Sequence, residues 1–198
     1  MRPQPLSSDL SGDAIAPRLR GRFGRPYQYV ATCPSTQRLL AADDPEGAVA
    51  VADEQTEGRG RLGRRWEAPP GTSLLVSLLL RPDVPTDELP TLSPVAGQVV
   101  ADAIAAVSGV ETHVKLPNDV LVDGRKVAGV LAEAHDGRMV LGIGINVNQQ
   151  ADELPPKTQL PATSLRLEVG RPVDRAALLV ELLARLELAY DGWRAGYG

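Results

Sequence analysis

Short apolar runs and two helical apolar stripes organise most of this sequence. The runs over residues 47–53 and 73–80 are too short and too sharply bounded for helices, so each predicts a buried strand. Between residues 91 and 107 the apolar side chains recur every three or four positions, which predicts one face of a core helix. A similar stripe over residues 173–193 predicts a closing helix.

The remaining pattern predicts more strands than helices. Asp-Gly pairs at 123–124 and 136–137 predict tight turns, because both residue types tolerate positive φ. Ser35 or Thr36 can cap a helix that we expect to run to about Ala42. Further strands are predicted at 27–31, 112–115, 120–122, 126–133 and 139–147, and a loop at 149–162. Helices that separate blocks of consecutive strands predict the α+β class, with a mixed, largely antiparallel sheet covered by helices.

Length and composition limit the function classes. The 198 residues suit one domain, here 27–198, after an N-terminal arm at 1–26. A net charge of −4 argues against a generic nucleic-acid binder. One cysteine, Cys33, and two histidines leave too few ligands for a His/Cys zinc site. The longest apolar run, seven residues at 74–80, predicts no membrane helix, and the polar N-terminus predicts no signal peptide, so we expect a cytoplasmic protein.

A glycine- and arginine-rich loop follows the strand at 47–53. Its glycines, Gly58, Gly60 and Gly63, match G-x-G-x-x-G, but the prolines at 69–70 leave no room for the helix that a dinucleotide fold needs. Four arginines, Arg59, Arg61, Arg64 and Arg65, repel one another until an anion binds, and their planar forks suit carboxylate or phosphate. The alternative is a solvated basic loop without a ligand.

Trp66 directly follows these arginines. Its indole could stack on a flat base, or it could be an ordinary core anchor. Because glycine loses much freedom on ordering, we expect the loop to be mobile until a ligand binds.

Two further segments carry candidate binding groups. In KLPND, Lys115 ends a strand beside Asn118 and Asp119, which suits phosphate; an exposed turn is the alternative. Beyond the next turn, Lys126 precedes small residues up to Gly129, which let a ligand lie against the backbone.

A glycine-bearing strand follows. In GIGINVN, Gly142, Gly144 and Asn146 share one face, so the two glycines predict a smooth floor for a flat ring.

Ser35-Thr36, GRGRLGRRW, KLPND, RKVAG and GIGINVN together resemble the catalytic domain of the biotin protein ligases (biotin–[acetyl-CoA-carboxylase] ligases) over about residues 30–190. The resemblance implies a class II synthetase-like fold and a two-step reaction. Biotin's carboxylate attacks the α-phosphate of ATP, with Mg²⁺ present, to give biotinyl-5′-AMP and pyrophosphate. A lysine of a biotin carboxyl carrier protein, from acetyl-CoA carboxylase or a related carboxylase, then attacks that anhydride.

The resemblance also implies roles for individual residues. Arg61 and Lys115 would be catalytic, and Asp119 would contact Mg²⁺. The adenylate would contact Arg61, Arg64, Trp66, Lys115, Asn118 and Asn146. Biotin would contact Ser35, Thr36, Gln37, Gln55, Gly58, Arg59, Gly60, Arg61, Lys126, Gly129, Gly142 and Gly144.

The sequence departs from the family's usual motifs in two places. Gln37 stands where S-T-N has asparagine, which lengthens the reach of the amide, and Leu116 stands where K-W-P-N-D has tryptophan, which we interpret as a change in the core. We expect no C-terminal β-barrel domain, and too few N-terminal residues for a DNA-binding winged helix, hence no DNA partner. Because no membrane helix is predicted, we also expect no membrane partner. The sequence does not identify an exposed strand edge, so it leaves open whether two copies form a homodimer by strand addition.

Two rival functions share parts of this pattern. Lipoate–protein ligases and octanoyltransferases have the same fold, but they prefer an R-R-x-[ST]-G-G-G loop that this sequence does not contain. A non-catalytic module that binds biotin or an adenylate is the other alternative.

Overall fold

One seven-stranded sheet forms the centre of the computed structural model, which describes residues 8–156 and 159–197. The strand order is β1-β2-β3-β7-β6-β5-β4, and only the β1–β2 pair is parallel. The strands are β1 (Tyr27–Cys33), β2 (Val49–Gln55), β3 (Ser73–Leu80), β4 (His113–Lys115), β5 (Asp119–Val122), β6 (Arg125–His135) and β7 (Arg138–Asn146). The predicted mixed, largely antiparallel sheet is confirmed, with strand ends shifted by a few residues.

Two long helices cover one face of this sheet. Helices α2 (Leu92–Ser108) and α4 (Arg175–Ala195) pack against each other, and α2 also contacts β4, β5 and β6. The odd-numbered side chains of β7 join the apolar core on this side: Met139, Leu141, Ile143 and Ile145. Because successive strand residues face opposite sides, the even-numbered residues of β7 lie on the other face.

The first described residues also contribute to the core. The short helix α1 (Gly12–Ile15) is followed by a 3₁₀ turn at Ala16–Arg18. Leu10, Ile15 and Phe23 are almost fully buried among the core side chains of the sheet and of α4. The segment predicted as an N-terminal arm therefore packs on the same core as the sheet in the part that the structure describes.

The predicted helix from Ser35 to about Ala42 is wrong. The chain forms only a 3₁₀ turn at Thr36–Leu39, and Ser35 makes no capping hydrogen bond. The Oγ1 of Thr36 instead bonds Ser77 and Gln55, so tertiary contacts take up the side chain that we expected near the helix start. A third helix, α3 (Leu165–Val169), does begin with a side-chain cap, from Ser164.

Helix α2 and its leading 3₁₀ turn are apolar along most of their length. By length and composition alone, Thr86–Ser108 could cross a membrane. Its residues Ala96, Val100, Ala103 and Ile104 are buried against the sheet and α4. Such burial is typical of a core helix.

Candidate functional site

A cavity of about 360 Å³ opens on the face of the sheet that α2 and α4 leave uncovered. Its floor comes from β6 and β7, one wall from the turn at Thr36–Leu39 and the end of β2, and its cover from the arginine loop. The predicted site residues that line it are Ser35, Thr36, Gln37, Gln55, Arg59, Gly60, Arg61, Arg64, Trp66, Asn118, Asp119, Lys126, Gly129, Gly142, Gly144 and Asn146.

Trp66 lies directly on the glycine floor. A Cβ at Gly144 would be 2.7 Å from indole Cε2, and a Cβ at Gly129 would be 3.4 Å from Cζ3. Any side chain at position 144 would therefore displace the indole. The floor that we predicted for a ligand ring is thus partly covered by Trp66, whose indole itself lines the cavity.

A compact set of polar groups forms the wall beside the floor. The backbone N–H of Thr36 donates to Gln55 Oε1 over 2.8 Å, and its hydroxyl lies 2.7 Å from that of Ser77. Gln37 lies over Gly142, and its Nε2 donates weakly to the carbonyl of Leu131 over 3.5 Å. Gln37 Oε1 is buried and has no partner among the described residues, so this wall keeps one free acceptor.

The arginine loop closes on itself across the cavity mouth. The N–H of Trp66 donates to the carbonyl of Gly58, and that of Gly60 donates to the carbonyl of Arg64. A Cβ at Gly58 would be 2.3 Å from the Trp66 carbonyl oxygen, so only glycine fits there. Leu62 forms the tip at φ 58° and is 90% exposed.

The arginines of this loop contact several separate elements. Arg59 forms a 2.8 Å ion pair with Glu133 of β6, and Arg64 Nη1 donates to Gln159 Oε1 over 3.0 Å. Arg61 Nη1 donates to Asn118 Oδ1 over 3.1 Å. Arg61 forms no ion pair with any residue that the structure describes, and its partner is a neutral amide. Its charge therefore remains available to an anion in the cavity.

Lys126 provides a second cation in the cavity. Its Nζ lies 2.6 Å from Asp119 Oδ1 and 5.7 Å from the centre of a Trp66 ring. Both side chains of this ion pair are largely buried. The cavity thus combines an aromatic surface, the charge of Arg61, the Lys126–Asp119 ion pair and amide groups, which suits a ligand with a flat ring and acidic groups.

The model of the biotin/lipoate A/B protein ligase family matches residues 29–150, more than half of the chain. The chain belongs to this family. It is 42% identical over 184 residues to the biotin–[acetyl-CoA-carboxylase] ligase of Mycobacterium tuberculosis, covering 88% of this chain and 67% of that protein. It is also 39% identical over 195 residues to the bifunctional ligase/repressor BirA of Bacillus subtilis, covering 96% of this chain and 60% of that protein.

A solved structure of a family member has the same architecture. The biotin protein ligase from Aquifex aeolicus in complex with biotin and ATP superposes with a TM-score of 0.77 at 36% identity, covering 84% of this chain and 71% of that one. The chain spans 60% of the Bacillus subtilis protein and 54% of the bifunctional ligase/repressor BirA of Bacillus spizizenii, to which it is 40% identical, so it covers little more than half the length of these relatives. The predicted resemblance to the biotin protein ligases is confirmed at the level of family and fold.

Three predicted positions of this family member differ from expectation. Leu116 is 70% exposed, so the interpretation of its substitution as a change in the core is wrong. Lys115 lies opposite Asp119 in the backbone register of β4 and β5, at the outer edge of the sheet. Its side chain is exposed and does not line the cavity. Its catalytic role and its phosphate contact stay predictions. Gly58 supports the loop instead of lining the cavity.

Two residues outside the predicted set come to the site only when the chain folds. Ser77 faces Thr36 from the middle of β3, and Gln159 contacts Arg64 from the loop at 149–162. Neither residue belongs to a recognisable motif. Cys33 is buried next to Gln55 on the neighbouring strand and does not line the cavity, and its burial raises the pKa of its thiol.

Proposed function

We propose that this chain activates biotin with ATP to form biotinyl-5′-AMP and then transfers biotin to a lysine of a biotin carboxyl carrier protein. The observation that carries the proposal is the meeting of Arg61, Lys126 and Trp66 in one cavity. Two anions, a carboxylate and a triphosphate, must come together in the first step. The charge of Arg61, which has no described acidic partner, reduces that repulsion, with the Lys126–Asp119 pair beside it, and the indole of Trp66 holds the base.

The residues of the cavity supply binding and charge, not a nucleophile. No cysteine or histidine is among the described residues that line it. In the first step the biotin carboxylate oxygen forms a bond to the α-phosphorus while pyrophosphate leaves. In the second step a neutral lysine amine of the carrier attacks the acyl carbon, and AMP leaves. Both nucleophiles therefore arrive with the substrates.

Specific groups support each part of this assignment. Biotin's polar ring suits the wall of Thr36, Gln55 and the unpartnered Oε1 of Gln37. Its carboxylate and the α-phosphate suit Arg61, whose charge has no described acidic partner, with Lys126 beside them. The adenine base suits the indole of Trp66, next to the amide of Asn146.

Mg²⁺ fits this cavity as an ion carried by the ATP phosphates. No group of three or more His, Cys, Asp or Glu side chains among the described residues could hold a metal by itself. The carboxylates that line the cavity are Glu67 and Asp119, and hard oxygen ligands of this kind suit Mg²⁺ alongside phosphates. When bound, the ion would neutralise charge on the leaving pyrophosphate. Asp119 is the predicted protein contact.

The carrier from acetyl-CoA carboxylase or a related carboxylase is the proposed partner, and a cytoplasmic location is the expected one. The relatives support the carrier because their names include biotin–[acetyl-CoA-carboxylase] ligase. DNA binding, membrane association and a homodimer are not part of the proposal.

The test is a two-stage assay with the purified chain. With biotin, ATP and Mg²⁺, we expect pyrophosphate release and a bound biotinyl-5′-AMP detectable by mass, followed by labelling of an apo carrier. Lipoate and octanoate replace biotin in parallel reactions. Biotin binding without pyrophosphate release would indicate a binding module, and faster turnover with lipoate or octanoate would indicate the rival ligase or transferase.

Replacing Gly144 with alanine is expected to lower kcat/KM for ATP by about 10- to 100-fold, because the new methyl group displaces Trp66 from the floor. The measurement is biotin-dependent pyrophosphate release at varied ATP. Gly192→Ala is the matched control, since a Cβ at this exposed helical position meets nothing within 4 Å. Equal kcat/KM values for the two variants would contradict the role of this contact.

A further inference from the structure

The side-chain amide of Asn146 is held on both sides inside the cavity wall. Its Nδ2 donates to the backbone carbonyl of Thr163 over 3.0 Å. Its Oδ1 accepts from Gln149 Nε2 over 3.1 Å. The residue is 6% exposed, yet it lines the cavity two positions after Gly144 on the same face of β7.

A backbone group sets the orientation of this amide. The carbonyl of Thr163 can only accept, so it selects the NH₂ end of Asn146. The oxygen end of Asn146 then faces Gln149, whose NH₂ group donates to it. Turning the Asn146 amide over would place oxygen against oxygen at Thr163 and NH₂ against NH₂ at Gln149. The two contacts therefore hold a single orientation.

Gln149 itself lies behind the wall. It is 1% exposed and is absent from the lining of the cavity, and its Nε2 also donates to Ser73 Oγ over 2.5 Å. Its Oε1 is buried without a partner among the residues described. An unsatisfied buried acceptor destabilises a fold, so an apolar side chain of similar length would suit stability better. Gln149 therefore contributes through its NH₂ group, which donates to Asn146.

We propose that Gln149 is a positioning residue that fixes the amide of Asn146 so that the cavity selects adenine over 6-oxopurine nucleotides. The proposal rests on the proposed function, in which a base stacks on Trp66. Asn146 retains one N–H and one oxygen lone pair for the cavity. Adenine presents an acceptor at N1 and a donor at its 6-amino group, which match that pair. Hypoxanthine presents a donor at N1 and an acceptor at O6, which require the reversed amide.

The test compares ATP with inosine triphosphate, which differ at the edge that the amide reads. The wild-type chain and Gln149→Met are assayed for biotin-dependent pyrophosphate release with each nucleotide. Methionine keeps the length of the side chain and removes its donor. We expect the ratio of kcat/KM for ATP to that for inosine triphosphate to fall by up to about tenfold, because one of the two contacts that hold the Asn146 amide in its orientation is then lost and only the Thr163 carbonyl remains. The KM for biotin should stay unchanged. Gln98→Met, at an exposed position of α2, is the matched control.

Two outcomes overturn the proposal. The first is an equal loss of activity with both nucleotides, which indicates a purely structural role. The second concerns a substitute variant, which is used if Gln149→Met does not fold. Ser73→Ala removes the other acceptor of the Gln149 amide and should lower the ratio a few-fold. An unchanged ratio in Ser73→Ala decides against the proposal.

Failure of the proposed function gives a different result. If the wild-type chain releases no pyrophosphate from biotin and ATP, the affinities for ATP and inosine triphosphate are compared by calorimetry. The same fall in their ratio is expected in Gln149→Met, and its absence there again overturns the role of Gln149.

Discussion

Arg61→Ala is expected to slow biotin-dependent pyrophosphate release by about 10²–10³-fold, the usual effect of removing one donor from a developing negative charge. Arg61 lines the cavity, and its hydrogen-bond partner there is the neutral amide of Asn118. Its charge is therefore available to the phosphate that gains negative charge as the carboxylate attacks. Since the side chain makes no buried ion pair in the described structure, the melting temperature should change little.

Two further variants separate charge from geometry. Arg61→Lys keeps the charge but loses the planar fork, so we expect an intermediate rate. Arg171→Ala removes an exposed arginine outside the cavity and should leave the rate unchanged. Near-normal turnover in Arg61→Ala, measured with saturating biotin and ATP, would refute the role of Arg61.

Arg175→Met is expected to lower the free energy of unfolding by about 3–5 kcal/mol, which is typical of breaking a buried ion pair from one side. The Arg175 side chain is 7% exposed at the start of α4. It donates to Asp53 Oδ1 over 2.9 Å and to the Ser73 carbonyl over 3.0 Å, and it pairs with Asp9. The variant leaves the Ser73 carbonyl and the carboxylate of Asp53 without this donor.

Urea denaturation of Arg175→Met and of Arg185→Met measures this effect. Arg185 lies on the same helix, is 40% exposed and pairs with Glu181 four residues before it. Such a pair contributes about 0.3–0.5 kcal/mol. For a chain of this size we expect the melting temperature of Arg175→Met to fall by about 6–20 °C. Equal losses in the two variants would show that the contacts of Arg175 contribute no more than a surface pair.

The local sequence pattern was sufficient to predict the elements whose burial is regular along the chain. The mostly apolar run at 73–80 became β3, which is buried on both faces, and the stripe at 91–107 became α2. The two Asp-Gly turns formed where predicted, with Asp123 and Asp136 at positive φ. These predictions succeeded because periodicity and turn chemistry act between residues close in sequence.

Local signals failed where distant residues competed for a side chain. Thr36 satisfies its hydroxyl on Ser77 and Gln55 instead of beginning a helix, and neither partner is close to it in sequence. Leu116 follows a strand of only three residues at the edge of the sheet and is 70% exposed. The alternative of an exposed turn at KLPND predicts that exposure, whereas comparison with the family motif favoured a buried side chain.

Residue types and their spacing are enough to predict the class of this protein and most residues of its cavity, because strand alternation places Gly142, Gly144 and Asn146 on one face and the motifs carry the charges. The contacts of those residues follow from the folded chain alone: Trp66 on Gly144, Lys126 against Asp119, and Gln149 behind Asn146. Each of these contacts joins side chains from different segments or fixes the direction of a hydrogen bond. The meeting of distant segments and the direction of a hydrogen bond both depend on how the strands and loops pack in three dimensions. Residue type and spacing do not specify that packing.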